Sequence, residues 1–481
     1  MSERRASGTM AKNELRKLHL GLFVYGDKYL DICASIVLPN LLSLIAEIPP
    51  DIRAETRLRI LTDVGGRVLL SAAPVLARIR ALIAVDISDM MEKAGFERYG
   101  SYGPMILGQA KLVHEASLEN AGLIFCPPDL IWSQGSFAAI VKLAREGYRA
   151  VIGPSARGIQ EELIPIFQQR IAERGDGTLT ISSADLTGLT FDHWQQMNDG
   201  FIWNDGPSNS WKSYAYWRLG ERQYLMKCWQ GPALFLWPHR EVKDYDGWID
   251  HRLIKACAHS QAEIYVVPDA TLIQTLDLAP RDRGEGHKQV TAKGWYLFRQ
   301  LLNRKRHCRY NLLYGLEAIR IYDRPLPESA WREAERQFDA ETRIPVYSAI
   351  AVRPVLALID GAYRRSGLAY VVRRAREAAR SIPVARTMAR LAHAGELRPD
   401  RLARRLVGRF GIRTRLRQSG LMPGQIVWRI RGVLQIRTRT KRALCALRQA
   451  VAVHWERLHP RTRLRRLAVF LSGVIRTSGR N

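Results

Sequence analysis

The stretch Ala121–Gly158, AGLIFCPPDLIWSQGSFAAIVKLAREGYRAVIGPSARG, decides the fold. It opens with a compact apolar run, Leu123–Cys126, that stops at Pro127-Pro128-Asp129. A helical pattern follows over Phe137–Glu146. A second short apolar run, Ala150–Ile152, then leads into Gly153-Pro154. A buried strand ending in a carboxylate-bearing turn, then a helix, then another buried strand is the unit of a parallel sheet covered on both faces.

The same alternation extends outward. Leu18–Tyr25 is an apolar run that ends in Gly26-Asp27, and Tyr29–Ala46 has helical spacing. Leu58–Leu61 ends at Thr62-Asp63, Leu82–Val85 ends at Asp86, and Ile264–Val267 ends at Pro268-Asp269. The fold class is therefore α/β, a mostly parallel sheet flanked by helices. In such a sheet the ligand crevice lies outside the carboxyl ends of the strands. Asp27, Asp63, Asp86 and Asp129 all read as strand-end carboxylates. Asp is also a common turn and cap residue, so a capping role stands beside a binding role for each of them.

Several chemistries lose their support. The turn after the first strand, Tyr25-Gly26-Asp27-Lys28-Tyr29, lacks the glycine fingerprint of a dinucleotide site. There is no P-loop, no GxSxG elbow and no HExxH. Six scattered cysteines without a CxxC pair argue against a zinc site or a disulfide framework and fit a reducing compartment. Met1–Asn13 is polar and lacks the apolar core of a signal peptide. The longest uncharged apolar stretch, Ile32–Ala46, has 15 residues. A span needs about 20, so no transmembrane helix is expected and any membrane contact would be peripheral.

Charge divides the chain. Residues 1–360 hold 44 basic and 42 acidic residues, whereas residues 361–481 hold 30 basic and 4 acidic ones. The first part is close to neutral and the last quarter is strongly cationic, almost entirely through Arg. The pattern is helical from Gly286 onward, with a solvated helix over Pro327–Thr342 and a connection over Pro345–Pro354. The basic region carries amphipathic stripes. Arg401, Arg404 and Arg405 surround Leu402 and Leu406, and Arg463, Arg465 and Arg466 adjoin Leu464, Leu467 and Leu471. These arginines form a candidate surface for anions or membrane lipid. Nucleic acid is disfavoured, because stacking residues are few and no nucleic-acid module is recognisable. Residues 190–235 are rich in Trp and Tyr. They read either as a sugar-facing wall or as core packing.

The segment Ala121–Gly158, together with His19–Ile45, Leu58–Gly66 and Ile249–Asp269, resembles bacterial GT-A-type nucleotide-sugar glycosyltransferases over roughly residues 17–280. Where that family places Asp-x-Asp, this chain has Pro127-Pro128-Asp129. The resemblance implies a GT-A-like domain (17–280), and composition and pattern add a flexible N-terminus (1–16), a helical extension (281–345) and an Arg-rich amphipathic region (346–481). It implies nucleotide-sugar contacts at Tyr25, Gly26, Asp27, Asp63, Asp86 and Asp129, and Asp250 as general base for the acceptor hydroxyl. A divalent metal, Mn or Mg, would be held by Asp129 with Asp250 or Asp269. Otherwise Arg or Lys would hold the phosphates without metal, or catalysis has been lost. The expected function is sugar transfer to a surface-glycan or lipid-linked acceptor at the cytoplasmic membrane face. The alternatives are a non-catalytic nucleotide-sugar or glycan binder and, more weakly, a nucleic-acid-associated basic protein.

Overall fold

The computed structural model describes residues 14–89, 103–209, 214–230, 233–243, 253–282, 289–303 and 308–365. The first strands are β1 (Leu18–Phe23), β2 (Thr56–Thr62), β3 (Ala84–Asp89), β4 (Gly122–Phe125), β5 (Leu130–Trp132), β6 (Ala150–Ile152) and β7 (Ala156–Ile159). They are followed by β8 (Ser208–Asn209), β9 (Tyr214–Gly220), β10 (Gln223–Cys228), β11 (Ala233–Leu236), β12 (Ile264–Val266), β13 (Thr275–Ala279), β14 (Gln289–Val290) and β15 (Ile319–Tyr322). Seven form the central sheet in the order β12-β6-β11-β4-β1-β2-β3. Only β11 is antiparallel to its neighbours; every other adjacent pair is parallel. The expected α/β class, a mostly parallel sheet flanked by helices, is what the chain forms.

Alternation along the strands builds two cores. Leu18, Leu20, Leu22, Leu58, Ile60 and Ile124 face one side, with the helices that follow β1, β2 and β5. Phe23, Leu61, Leu123 and Phe125 face the other, with the helix Gly103–Leu118. That helix lies close because Gly21 and Gly108 have no side chains. A Cβ on Gly21 would sit 3.0 Å from Leu112 of that helix, and one on Gly108 would sit 2.8 Å from Phe23.

The helix after β1 runs from Asp27 to Glu47 and is long and apolar enough to match a membrane span, although its longest uncharged stretch is shorter. It is a core helix: Ile36, Val37, Leu38, Leu41, Leu44 and Ile45 are all buried in the first core. Pro39 is accommodated by a wide π-turn over Cys33–Val37 just before it. Asn40 then does what no aliphatic residue could. Its Nδ2 donates to the carbonyls of Trp132 and Leu179, both at 3.1 Å, and its Oδ1 accepts from Trp132 N at 2.9 Å. One amide side chain thus fixes β5 and the Leu179 segment to the helix.

A third core lies between the antiparallel sheet β15-β10-β9 and the helices Lys293–Leu301 and Glu328–Arg365. The strand β15 interrupts the stretch expected to be wholly helical, because Ile319 and Ile321 alternate with polar neighbours and pair with β10. The connection expected at Pro345–Pro354 is not there. The helix continues to Arg365, since Trp331, Ala334, Phe338, Thr342, Val346 and Ala349 keep one buried stripe across Pro345. The chain divides into two compact units, residues 1–360 and 361–481. Lys227 of β10, fully buried, donates to Asp339 and Thr342 and pins this helix.

All five described cysteines, Cys33, Cys126, Cys228, Cys257 and Cys308, are buried free thiols. Burial pushes Cys33 up to about 12, and it also raises Cys126, which lies beside Cys33.

Replacing Asn40 by Leu strands the buried N–H and carbonyl of Trp132, while the Leu179 carbonyl keeps the Ser43 hydroxyl. It is expected to lower stability by about 3 kcal/mol, read as a shift in the urea midpoint with unchanged m-value.

Candidate functional site at the carboxyl edge of the sheet

Because β4 and β6 are both antiparallel to β11, they run the same way as each other. The carboxyl ends of β1, β2, β3, β4, β6 and β12 therefore share one edge. The crossovers from β1 to β2 and from β2 to β3 cover one face, and the helix leading into β4 covers the other. The winding thus reverses between β1 and β4, a topological switch point where α/β sheets leave a crevice. The two loops at that point are Val24–Asp27 and Cys126–Asp129, so Tyr25, Gly26, Asp27 and Asp129 are brought to one place.

The first loop depends on Gly26, whose φ of 77° suits glycine and few other residues. Its carbonyl accepts from Tyr29 N and Leu30 N, starting the core helix, and Asp27 is exposed in the first turn. Asp63 holds this loop to the next one. Its Oδ1 accepts from Gly66 N at 2.7 Å as an N-cap, and its Oδ2 lies 3.4 Å from Gly26 N. Its carboxylate is thus engaged by backbone.

In the second loop, Leu130 N donates to the Pro127 carbonyl in a turn, and Leu278 N donates to the Asp129 carbonyl. Asp129 accordingly joins the small sheet β5-β13-β7, a ledge that β5 and β7 enter directly after β4 and β6 leave the central sheet. From that ledge, Gln160 and Glu161 open the helix Gln160–Arg174. Burial pushes the Glu161 carboxyl up. Hydrogen bonds from Gln160, its own N–H and Arg281 N, together with the Lys28 charge, outweigh it and hold the carboxyl below its ordinary value. The Lys28 charge acts on Glu161 from the helix turn after the first loop, and the Arg281 guanidinium pairs with Glu162. The mouth of the crevice therefore carries both signs of charge: Asp27, Asp129 and Glu161 with Lys28 and Arg281. Lys28 stands inside the quoted turn of β1 yet has no motif to mark it. Glu161 and Arg281 meet each other across 120 residues of sequence, through the pairing of β7 with β13.

Other expected residues lie elsewhere. Asp86 does not end its strand. It sits mid-β3, in register with Arg59 of β2, and its carboxylate pairs with Arg59 at 3.0 Å and Arg57 at 3.8 Å. The strand-end carboxylate of β3 is Asp89, paired with Arg67. Arg59 also bonds Glu119, which lies 3.4 Å from His19, so Asp86 belongs to a charge network low on one sheet face. Asp269 follows β12 as expected, but Oδ1 accepts from Thr271 N at 2.7 Å and Oδ2 from the Tyr322 hydroxyl at 2.8 Å. It anchors β15 to the edge. Among the described residues no three His, Cys, Asp or Glu side chains gather as a metal group. Asp250, Arg401, Arg404, Arg405, Arg463, Arg465 and Arg466 lie outside the described residues.

The aromatic stretch is mainly core. Trp203, Tyr216, Tyr224 and Trp229 are buried, and Trp194 stacks on Tyr224 with centroids 5.1 Å apart while its Nε1 donates to Asp199. The Tyr216 hydroxyl donates to the Ser155 carbonyl at 2.8 Å, fixing the loop after β6 from behind. Trp211 lies outside the described residues.

No protein-family model matches the chain, and no curated protein matches its sequence. Among solved structures, it is similar to a mannosyltransferase from Pyrobaculum calidifontis, determined with GDP-Man and Mn2+. The identity is 11%, the TM-score is 0.28, and the match spans 81% of this chain and 84% of that one. It is also similar to mouse xyloside xylosyltransferase 1 in its apo form. There the identity is 15%, the TM-score is 0.20, and the match spans 33% of this chain and 59% of that one. The function proposed below rests on the sheet edge instead.

Two outcomes follow from this edge and its underside. Asp63→Ala removes a cap and the tie to Gly26, and is expected to cost about 1 kcal/mol, measured by thermal or urea unfolding. His19 is buried, and burial keeps its pKa below 6.5; the Glu119 charge pulls the other way without reversing it. The unfolded chain takes up a proton as pH falls through about 6.5 and the folded one does not. Stability should therefore be fully present above that pH and decline below it. Urea midpoints at pH 7.5 and 5.5 should differ more for the wild type than for His19→Gln.

Proposed function

We propose that the protein is a GT-A-like glycosyltransferase that moves a sugar from a nucleotide-sugar donor to a surface-glycan or lipid-linked acceptor. The observation that supports this is the switch point, where the β1 loop and the Asp129 turn share one sheet edge and Glu161 and Arg281 meet in the segments that follow β7 and β13. A nucleotide sugar has an anionic diphosphate and a neutral, hydroxyl-rich sugar, and the mouth offers partners for both. Lys28 and Arg281 face the phosphates, and Asp129 accepts sugar hydroxyl hydrogens. Asp250 is assigned the general base that takes the acceptor proton.

The Arg-rich residues 361–481 supply an address at the anionic cytoplasmic face of a membrane, through Arg401, Arg404, Arg405, Arg463, Arg465 and Arg466 among others. This makes the protein a peripheral one in the proposed setting.

Asp129→Ala is expected to cut transfer, measured as kcat/KM with the accepted donor, by about 100-fold with little change in Tm. Unchanged activity would remove Asp129 from the site. A second reading is a nucleotide-sugar binder without turnover, favoured by the single carboxylate where the resemblance implies two. Calorimetry with a panel of nucleotide sugars, with and without Mn2+, paired with a product assay, separates the two: heat of binding without product supports the binder.

A further inference from the structure

Three of the large apolar side chains that stay exposed in the described residues fall on neighbouring elements. Trp295 is 60% exposed on the helix Lys293–Leu301, and Ile344 and Tyr347 are 57% and 50% exposed on the helix Glu328–Arg365. The two helices touch at this level. A Cβ on Gly294 would stand 3.2 Å from the Pro345 ring, so Trp295 lies beside the turn that carries Ile344 and Tyr347. Ile344 and Tyr347 are three residues apart and share a helix face. That face is turned away from the stripe Phe338, Thr342, Val346 and Ala349 that buries the helix. Exposed apolar side chains concentrated in this way mark an interaction surface, and the same turns carry Arg299, Glu341 and Arg343, the last paired with Asp339.

We propose that Trp295, Ile344 and Tyr347 form the face of the folded domain that inserts into the interface of an anionic lipid bilayer. This rests on the membrane address proposed above and goes beyond it, assigning part of the contact to the α/β unit rather than to the Arg-rich region. Charge favours lipid as the occupant, since the chain continues from this helix into residues 361–481, with 30 basic and 4 acidic residues. Trp and Tyr are the side chains favoured at the depth of lipid headgroups, where an apolar ring meets a wet boundary. Basic residues draw the chain to the surface in a salt-sensitive way, whereas inserted apolar side chains hold it at high salt.

The test uses full-length protein and vesicles of 70% phosphatidylcholine and 30% phosphatidylglycerol, sedimented at 0.1 M and 0.5 M NaCl. The wild type should pellet at both salts. The triple variant Trp295→Ser, Ile344→Ser, Tyr347→Ser, shown folded by circular dichroism, should pellet at low salt but partition about tenfold more weakly at high salt. Equal high-salt partitioning of variant and wild type overturns the proposal while leaving the Arg-rich address standing. A wild type that pellets only at low salt does the same. A wild type that pellets at neither salt overturns both. A concentration-dependent dimer in gel filtration that the triple variant loses would show that the face meets a second copy, and also overturns the proposal. Donor turnover, assayed without vesicles, should be the same in variant and wild type, which separates this surface from the crevice.

Discussion

Asn40 sits in the most apolar helix of the chain, and its amide is taken up wholly by backbone. Both carbonyls it donates to and the N–H it accepts from belong to segments that come 92 to 139 residues later. The clasp fixes β5, β5 begins directly after Asp129, and β13 pairs with β5. The position of the Asp129 turn, and of the ledge over the carboxyl edge, therefore follows from a buried hydrogen-bond requirement in the first helix. A buried polar group that is fully satisfied specifies one arrangement, because every alternative leaves unpaired groups in an apolar core.

Electrostatics is arranged differently in the two parts of the chain. In residues 1–360 the charges nearly cancel, and many are consumed locally: Arg59 with Asp86 and Glu119, Arg157 with Asp277, Arg222 with Asp192 and Asp323, Arg320 with Glu328 and Glu335. At the mouth of the crevice Lys28, Glu161 and Arg281 likewise come from three separate segments, and the Arg281 guanidinium is paired with Glu162. In the last quarter the cations have too few carboxylates to meet, so they must be answered by something outside the chain or by solvent.

The parallel sheet was legible because each strand is a short apolar run with its own stop signal. The strands expected at Leu58–Leu61, Leu123–Cys126 and Ala150–Ile152 are β2, β4 and β6 within one or two residues. Asp86 misled because an apolar run of four residues stops there, whereas the strand continues to Asp89. The interruption is an arginine-paired carboxylate, a contact between strands that a single segment cannot display. Pro345 misled in the same way: proline is a helix breaker locally, yet the buried stripe on either side outweighs it. The aromatic stretch held equal signals for wall and core, and tertiary packing chose core. Gln160, Glu161 and Arg281 had no local signal at all. They were found only once β7 and β13 had been paired.

The depth at which the thiols lie has a practical meaning. Cys33 and Cys126 flank the junction of the core helix with the end of β4, and burial keeps both protonated at neutral pH. A thiolate is the species that alkylating reagents attack. Labelling of these two positions is thus a clock for the helix lifting from the sheet. In the folded protein it runs only as fast as that opening occurs, so the most apolar part of the molecule carries its own built-in gauge of local stability.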